Sequence, residues 1–425
     1  MARTILVASN PGGSSSITSA TAYYNLVGGG LSGFPATTQG DTATKFSYSG
    51  TLYGFGININ SNSLSAGPVT FTVTNNNSNT ILSIVVGTGQ TGWFDDPSDT
   101  VSVAANDLVE VKSVLTGGET GSFKLSVVKT EYDTDTSTTN TISILKAIGI
   151  GSTGASTTYY GHLSGFNSSG NTTEANGQTK MQYAATLRNL RAHLLTNLRT
   201  TSTTIRTRKN GANGNQSVVI GSGQTGWFED TTNTDTVAAN DLLCLQLVNG
   251  TGTQSKSFNG IQIDHQTTTN PGKGLLIYGS IGSTRLEPLT EYITLTGGSG
   301  GTDIESDTTM EVLSAFTFKG MAARFSTNTV NDTSSFKFRK NTTDTSIVVN
   351  VSSTSTSWFQ DTANTETVAS GDVVNYSMTL PAVTGTQSVG VRTMLIYTEI
   401  AGVSSSITAS EVASMNLANR FIIKV

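Results

Sequence analysis

The sequence has few charged residues, almost no cysteine and no long apolar run. Asp, Glu, Lys and Arg make up 12% of the 425 residues, about half the usual share. The 24 basic residues form no basic run, so binding to nucleic acid, which depends on clustered Lys and Arg, is not expected. The one cysteine, Cys244, excludes an intramolecular disulfide framework and a cysteine-rich zinc site. Its flanks, LLCLQL, predict a small side chain facing a core.

Signals for export and for a membrane are missing as well. In the N-terminal stretch MARTILVASNPGG the apolar segment is far shorter than the hydrophobic region of a signal peptide, so we expect no Sec-type export. No apolar run approaches the length of about eighteen residues that a spanning helix needs, so we expect no membrane span and no membrane partner.

Motifs that carry chemistry are also scarce. His162, His193 and His265 occupy no equivalent places and show no zinc-binding spacing. No GxSxG elbow supports a Ser nucleophile, because GGSGG at 297–301 is not followed by a predicted helix, and Cys244 has no evident base nearby. The glycine-rich segments 28–30 and 297–301 lack a following Lys-Ser/Thr pair and are predicted to be loop tips. We therefore expect no enzyme and no cofactor.

The chain is instead rich in Thr, Ser and Asn and in its 45 glycines, a mixture that favours strands and turns. Short apolar runs such as ILSIVV, SVVIG and SIVVNV recur, and TIRTRK and FKFRK alternate polar and apolar residues. These patterns predict a folded, all-β protein.

The strongest feature is an internal repeat. GQTGWFDDPSDTVSVAANDLVEV recurs as GQTGWFEDTTNTDTVAANDLLCL and as STSWFQDTANTETVASGDVVNY. The only three tryptophans, Trp93, Trp227 and Trp358, lie at the same place in each copy, 134 and 131 residues apart. The repeat predicts three homologous domains, over residues 1–135, 136–270 and 271–400, with a C-terminal tail at 401–425. We call them repeats 1, 2 and 3.

Each repeat has a domain's length and about eight short predicted strands, which in repeat 2 include KMQYAATL and RAHLLTNL. Such strands most economically form an antiparallel two-sheet jelly roll. An immunoglobulin-like sandwich is the alternative, although it usually closes in about 100 residues. The connectors between repeats are short, and adjacent domains are therefore expected to touch.

The repeated motif is interpreted first as structural. The Trp-Phe step is predicted to plug a core after an apolar strand, with a sugar-stacking platform as the functional alternative. The Asp fourteen residues after each Trp is predicted to cap a turn. The Asn seventeen residues before each Trp, at Asn76, Asn210 and Asn341, is predicted to lie in the turn between two strands. The motif residues are Trp93, Phe94, Asp107, Trp227, Phe228, Asp241, Trp358, Phe359 and Asp372.

Acidic residues also cluster just after each Trp. Turn formation is their default interpretation, and a weak calcium site at Asp95, Asp96 and Asp99 is the functional one, because calcium prefers such oxygen ligands. The corresponding residues are Glu229, Asp230 and Asp235 in repeat 2 and Asp361 and Glu366 in repeat 3.

The string RKNG followed by SVVIGSGQTGWFEDTTNTDTVAANDLLCLQL resembles the core of tumour-necrosis-factor-like jelly-roll domains found in virion structural proteins of tailed bacteriophages. The resemblance covers the C-terminal half of each repeat, and repeat 3 departs from it before Trp358. It implies trimerising domains that serve as capsid decorations, head fibres or tail-fibre knobs. The three repeats would then pack as a pseudo-threefold cluster within one chain, a single-chain pseudo-trimer.

The expected role is therefore a non-enzymatic virion structural protein, assembled in the host cytoplasm with capsid or tail proteins as partners. Two alternatives stay open: a tail-fibre or receptor-binding protein that recognises host surface glycans, and an extracellular carbohydrate-binding adhesin. Exposed rings at Tyr23, Tyr24, Tyr159 and Tyr160 would favour sugar binding. In the tail, the apolar Phe421, Ile422, Ile423 and Val425 predict a strand that pairs with its own chain or with an assembly partner.

Overall fold

The structure is a computed structural model that describes residues 3–9, 17–18, 20–29, 36–116, 121–134, 140–150, 157–169, 171–252, 254–267, 272–286, 289–297, 301–382 and 387–400. Within these ranges the chain is all-β, as predicted, and its helices are the two short 3₁₀ turns Glu174–Gly177 and Glu305–Asp307. In this part of the chain no helix has the length and apolar character needed to cross a bilayer.

The three repeats contribute nearly the same succession of strands. Repeat 1 contains β1 (Arg3–Ser9), β2 (Thr21–Tyr24), β3 (Gly28–Gly29), β4 (Thr44–Lys45), β5 (Gly50–Asn62), β6 (Val69–Asn75), β7 (Ser78–Val86), β8 (Gly92–Val103), β9 (Leu108–Leu115) and β10 (Phe123–Thr134). Repeat 2 contains β11 (Thr141–Ile150), β12 (Thr158–Gly161), β13 (Gly165–Ser169), β14 (Thr179–Lys180), β15 (Ala185–Asn197), β16 (Thr203–Lys209), β17 (Ala212–Ile220), β18 (Gly226–Val237), β19 (Leu242–Asn249) and β20 (Lys256–Thr267). Repeat 3 contains β21 (Gly274–Leu286), β22 (Leu289–Ile293), β23 (Met310–Glu311), β24 (Phe316–Asn328), β25 (Ser334–Lys340), β26 (Thr343–Val351), β27 (Ser357–Val368), β28 (Val373–Leu380) and β29 (Ser388–Ile400).

The strands form largely antiparallel sheets whose order recurs. One sheet of each repeat contains the order β1-β10-β5-β8, β11-β20-β15-β18 or β21-β29-β24-β27. The other contains β2-β9-β6-β7, β12-β19-β16-β17 or β22-β28-β25-β26. A parallel contact of β13 with β21, at Phe166 and Ser280, joins the first sheets of repeats 2 and 3 into one sheet of nine strands.

The buried apolar side chains form three clusters, each combining residues from both sheets of one repeat. Burial of this apolar surface is the main favourable contribution to folding. Each cluster also includes side chains from another repeat. The cluster of repeat 1 includes Ile144 of repeat 2, and the cluster of repeat 3 includes Ile5, Val7 and Val127 of repeat 1. The cluster of repeat 2 includes Leu275, Ile277, Ala322, Leu395 and Tyr397 of repeat 3. The repeats are therefore packed on one another through apolar contacts.

The first strands of the repeats, β1, β11 and β21, contact one another pairwise. Glycines permit this approach. Gly28, Gly165 and Gly297 have φ of +96°, +98° and +101°. A Cβ on Gly28 would lie 2.4 Å from the Lys146 carbonyl oxygen, and one on Gly297 would lie 2.7 Å from that of Ser9. Gly28 and Gly297 are buried, so the prediction that they lie at loop tips was wrong; close backbone approach requires glycine here.

Two local predictions were also wrong. The segments KMQYAATL (180–187) and RAHLLTNL (191–198) were predicted as separate strands, but β15 begins at Ala185, near the end of the first segment, and continues through the second to Asn197. Asn189, at φ +56°, makes a bulge inside this strand instead of a turn. Cys244 is buried but does not face the core. Its neighbours Leu243 and Leu245 do, so strand alternation turns its Sγ toward Glu174, 3.8 Å from Oε1.

Candidate functional site: the junctions between the repeats

The repeated tryptophans lie inside edge strands and face residues of a second strand. In β8, β18 and β27 they pair with Asn58, His193 and Arg324. A third strand bulges beside each pair, at Ser126, Asn259 or Arg392, between partners that are otherwise in register. We call each set of Trp, opposite residue and bulge residue a junction triad. The Trp and the backbone frame of the triad recur, whereas its other two side chains differ in every repeat.

Each tryptophan contacts a repeat other than its own. Trp93 Nε1 donates to Thr309 Oγ1 of repeat 3 at 3.1 Å. Trp227 stacks on the ring of His193, with centroids 4.6 Å apart, while the Lys45 ammonium of repeat 1 lies 5.8 Å from its ring. Trp358 packs against the apolar cluster of repeat 2. The tryptophans are half-buried side chains of the junctions between repeats.

The neighbouring phenylalanines behave differently. Phe94, Phe228 and Phe359 pack against the cluster of their own repeat. Successive side chains of a strand point to opposite faces, so the two rings of a Trp-Phe step cannot both enter one core. The prediction of a Trp-Phe plug after a strand was therefore wrong: the step lies within the strand and connects two repeats.

A short segment of each repeat also packs on the next one. In repeat 3 it follows β23, where Leu313 N and Ser314 N donate to Glu131 Oε1 of repeat 1 at 3.0 and 2.9 Å. Glu131 is 1% exposed, and its Oε2 accepts from Ser314 Oγ and, at 3.4 Å, from Arg3. This carboxylate satisfies buried backbone donors that belong to another repeat.

The residues at the corresponding place on the other repeats have different partners. In repeat 3, Tyr397 Oη accepts from Gln182 N of repeat 2 at 3.3 Å. In repeat 2 the residue at this place is the buried Asp264, whose Oδ2 accepts from Asn189 Nδ2 at 2.8 Å and which is also hydrogen-bonded to Ser47 of repeat 1. Near it, Glu229 Oε2 accepts from Arg191 Nε at 3.1 Å, and Glu229 also pairs with Lys45 of repeat 1. Each junction thus has its own set of polar partners, which disfavours exchange of one repeat for another.

A cleft of about 310 Å³ opens between repeats 1 and 2. It is lined by Asn25, Ala36, Thr37, Asp41, Thr42, Ile148, Gly149, Leu195, Ser257, Phe258 and Asn259. Beside it the Lys146 ammonium is buried and donates to Asn25 Oδ1, Thr42 O and Ala43 O at 2.5, 3.1 and 2.9 Å. Burial lowers the Lys146 pKa to about 7, although the Glu110 carboxylate opposes this shift. Amide groups, a carboxylate and a ring therefore line one concave surface.

The histidines are held as neutral side chains at or near the junctions. Burial lowers the pKa of His162, His193 and His265 to about 3, 4 and 4, with nearby cations contributing at His162 and His193. In the described ranges no group of three or more His, Cys, Asp and Glu side chains converges as a metal site.

The motif aspartates cap the turns that precede β9, β19 and β28. Asp107 Oδ2 accepts from Ala104 N at 2.8 Å, and its Oδ1 accepts from Asn76 Nδ2 at 2.7 Å. Asn76 Oδ1 in turn accepts from Leu108 N at 3.0 Å. The same bonds join Asp241 to Ala238 and Asn210, and Asp372 to Ala369 and Asn341. Both residues of this pair stand out in the sequence, but the sequence alone does not predict that they contact each other.

The calcium hypothesis is not supported by the geometry. Asp96 Oδ2 accepts from Ser83 N at 3.3 Å, and its Oδ1 accepts from Asp99 N at 3.4 Å. Asp230 and Asp361 accept from equivalent backbone groups at Ser217 and Val348. Asp95 and Asp96 are adjacent in β8, so their side chains point to opposite faces of the strand. In the described part of the chain, Asp95, Asp96 and Asp99 do not converge on one point.

The tyrosines predicted as possible sugar platforms are not loop tips. Tyr23 and Tyr24 lie in β2 and are 8% and 1% exposed. Tyr159 packs against the repeat 2 cluster, and Tyr160 Oη accepts from Gln246 Nε2 at 3.2 Å. The predicted assembly residues Phe421, Ile422, Ile423 and Val425 lie outside the described residues.

No protein-family model matches the chain, and no curated protein matches it at a significant level.

Proposed function

We propose that the chain is a non-enzymatic virion structural protein of a tailed phage, most simply a capsid decoration or head-fibre protein. It would be built as a single-chain pseudo-trimer of three jelly-roll domains. The observation that carries this proposal is the cyclic order of the contacts. A segment of repeat 1 packs on repeat 2, one of repeat 2 on repeat 3, and one of repeat 3 on repeat 1.

The strand order supports the jelly-roll assignment. The first sheet places the repeat's first and last strands side by side, as β1 and β10 in repeat 1, and the second places β2 beside β9. Strands distant in sequence are thus neighbours in both sheets, as in double Greek-key jelly rolls. The pairwise contacts of β1, β11 and β21 support a pseudo-trimer, because one equivalent strand from each repeat would then lie at its centre.

A low surface charge is consistent with a place in an ordered array. The formal net charge is −5 over 44.3 kDa, so like-charge repulsion between closely spaced copies is weak. Capsid or tail proteins would be bound through polar, hydrogen-bonded surfaces. Such a role fits assembly in the host cytoplasm.

Two measurements test the proposal. For the pseudo-trimer, small-angle scattering of the purified chain is expected to give a compact particle, with a radius of gyration near the roughly 22 Å of a 425-residue globule; an extended string of three beads contradicts it. For the virion role, mass spectrometry of gradient-purified particles from the encoding virus or host is expected to find the chain in the particle fraction. Its recovery only in the particle-free fraction contradicts that role.

The cleft between repeats 1 and 2 favours a second candidate, a receptor-binding protein for host surface glycans. The Asp41 carboxylate and the hydroxyl groups of Thr37 and Ser257 line this cleft, and such groups hydrogen-bond to the hydroxyls of a sugar. A glycan array probed with the native chain and with Asp41→Ala tests this candidate. Binding that Asp41→Ala abolishes supports it, and an array without signal removes it.

A further inference from the structure

The junction between repeats 2 and 3 places two guanidinium groups on one surface. Trp358 of β27 lies opposite Arg324 of β24. Arg392 forms the bulge of β29 and donates from Nε to Ser326 Oγ at 2.7 Å. Ser326 is two residues from Arg324 in the same strand, so their side chains share a face. Arg324, Arg392 and Trp358 therefore point to one region.

Two of these three side chains carry a donor that has no acceptor among the described residues. Arg324 Nη1 and Trp358 Nε1 are shielded from solvent, and neither donates to any group in the described part of the chain. Neither arginine takes part in the ion pairs found among those residues. Burial lowers the pKa of both, and the charge of Arg392 lowers that of Arg324 further. A shielded donor without an acceptor is costly, and a shielded charge more so.

A neighbouring histidine does not balance this charge. His162 of repeat 2 lies beside the two arginines, with Nδ1 2.9 Å from Thr393 Oγ1. Burial and the charges of Arg324 and Arg392 lower its pKa to about 3, so it is neutral at physiological pH. The region thus carries two positive charges in a chain whose formal net charge is −5.

The other two triads show that the frame itself does not require this arrangement. At the repeat 3 to repeat 1 junction, Asn58 Nδ2 donates to Ser306 O at 2.7 Å and Trp93 Nε1 donates to Thr309. At the repeat 1 to repeat 2 junction, Asn259 Nδ2 donates to Ala43 O at 3.2 Å. Both triads are neutral and find acceptors within the chain, whereas the third is cationic.

We propose that Arg324, Arg392 and the indole N–H of Trp358 form a binding site for an oxyanion: a carboxylate, sulfate or phosphate group. A planar guanidinium presents paired donors that match the oxygens of such a group, and charge-assisted hydrogen bonds of this kind are the strong ones. An oxyanion would supply both the missing acceptors and the missing negative charge. This inference goes beyond the virion role and does not depend on it.

Isothermal titration of the full chain at constant ionic strength tests the proposal, with sulfate, glucuronate and neutral glucose as probes. The test variants are Arg324→His and Arg392→Asn, which are the residues that repeat 2 carries in its own triad at His193 and Asn259. Lys112→Gln, which removes a positive charge elsewhere, is the control.

Saturable binding of one anion per chain is expected, with no binding of glucose. Each test variant is expected to weaken it about tenfold or more, because it removes a charged hydrogen-bond partner. Equal affinity for sulfate and glucuronate indicates a site for the free anion, whereas tighter glucuronate binding indicates an acidic sugar. The proposal is overturned if neither anion binds saturably, or if both variants bind like the native chain.

A second measurement uses only the native chain, in case a variant does not fold. Phenylglyoxal modification of arginines, mapped by mass spectrometry, is expected to be slowed by sulfate at Arg324 and Arg392 and unchanged at Arg206. Identical modification at all three with and without sulfate counts against the site.

Discussion

Asn76 and Asp107 lie 31 residues apart in sequence, yet Asn76 Nδ2 donates to Asp107 Oδ1 at 2.7 Å. The pair holds the turn after β6 against the turn before β9. Asn76 N also donates to Leu108 O, and Asn76 Oδ1 accepts from Leu108 N. Its recurrence as Asn210–Asp241 and Asn341–Asp372 explains why both residue types are repeated at constant distances from Trp. The left-handed φ of +52° at Asn210 adds a reason for Asn at this position.

Removal of this carboxylate is expected to destabilise the fold. Asp241→Ala leaves Ala238 N and Asn210 Nδ2 without their acceptor, so we expect a loss of about 1–3 kcal/mol in the free energy of unfolding. Urea denaturation at pH 7 measures it. Asp99→Ala is the control, because the Asp99 side chain accepts none of these bonds, and its effect is expected to stay within about 0.5 kcal/mol. Equal effects of the two substitutions would contradict the capping role.

The same pair predicts a dependence on acid. Burial raises the pKa of Asp241, but the bonds from Ala238 and Asn210 outweigh it, so the net pKa is lowered. A carboxylate with a lowered native pKa stabilises the fold above its unfolded pKa of about 3.9 and loses that contribution as the pH falls. The difference in stability between native chain and Asp241→Ala should therefore shrink below about pH 4. If the difference in unfolding free energy stays constant down to pH 2 to 3, the charge of the Asp241 carboxylate does not contribute to stability.

Lys146 is expected to make the free energy of unfolding depend on pH above about pH 7. Its native pKa, lowered by burial to about 7, is below the unfolded value of about 10.4. Between these values the unfolded chain binds the extra proton, so this residue makes stability rise with pH by up to about 1.4 kcal/mol per unit. Thermal or urea unfolding from pH 7 to 9 should show a steeper rise for the native chain than for Lys146→Gln. Parallel curves would mean that the ammonium is not desolvated.

The glycines near β1, β11 and β21 predict a matched comparison. Gly165 and Gly226 both have φ of +98°, but a Cβ on Gly165 would lie 2.5 Å from Gly297 O, whereas one on Gly226 meets nothing within 4 Å. Gly226→Ala is expected to cost about 1–2 kcal/mol, for the left-handed backbone alone. Gly165→Ala is expected to cost at least 1–3 kcal/mol more. The thermal midpoints of the two variants measure this, and equal midpoints would place Gly165 away from a close contact.

Contacts through Glu131 predict that the junctions differ in strength. Glu131→Ala leaves Leu313 N and Ser314 N without their acceptor and removes the charge partner of Arg3, so we expect a loss of about 3–5 kcal/mol. Tyr397→Phe, at the corresponding place of repeat 3, removes the bond from Gln182 N and a weak bond to Met181 Sδ, and should cost about 1 kcal/mol. Urea unfolding ranks the two variants. A smaller loss for Glu131→Ala than for Tyr397→Phe would contradict this account of the junctions.

The sequence by itself determined the strand-rich composition and the three copies, because alternation, turn residues and the spacing of Trp93, Trp227 and Trp358 are local or periodic properties. It also marked Asp107 and its equivalents as turn residues. These features follow from backbone preferences that act within a few residues of each other.

Only the tertiary structure decided which partner each side chain meets. Trp93 and Phe94 are adjacent in sequence but serve different repeats, since strand pairing turns one toward repeat 3 and the other toward repeat 1. The sequence around Cys244 predicts a core-facing residue, but the strand register places its neighbours Leu243 and Leu245 on the core face instead. The pairing of Arg324 with Trp358 and Arg392 depends on bulges and on contacts between strands more than thirty residues apart. Such contacts arise from packing between distant segments, which no local sequence pattern encodes.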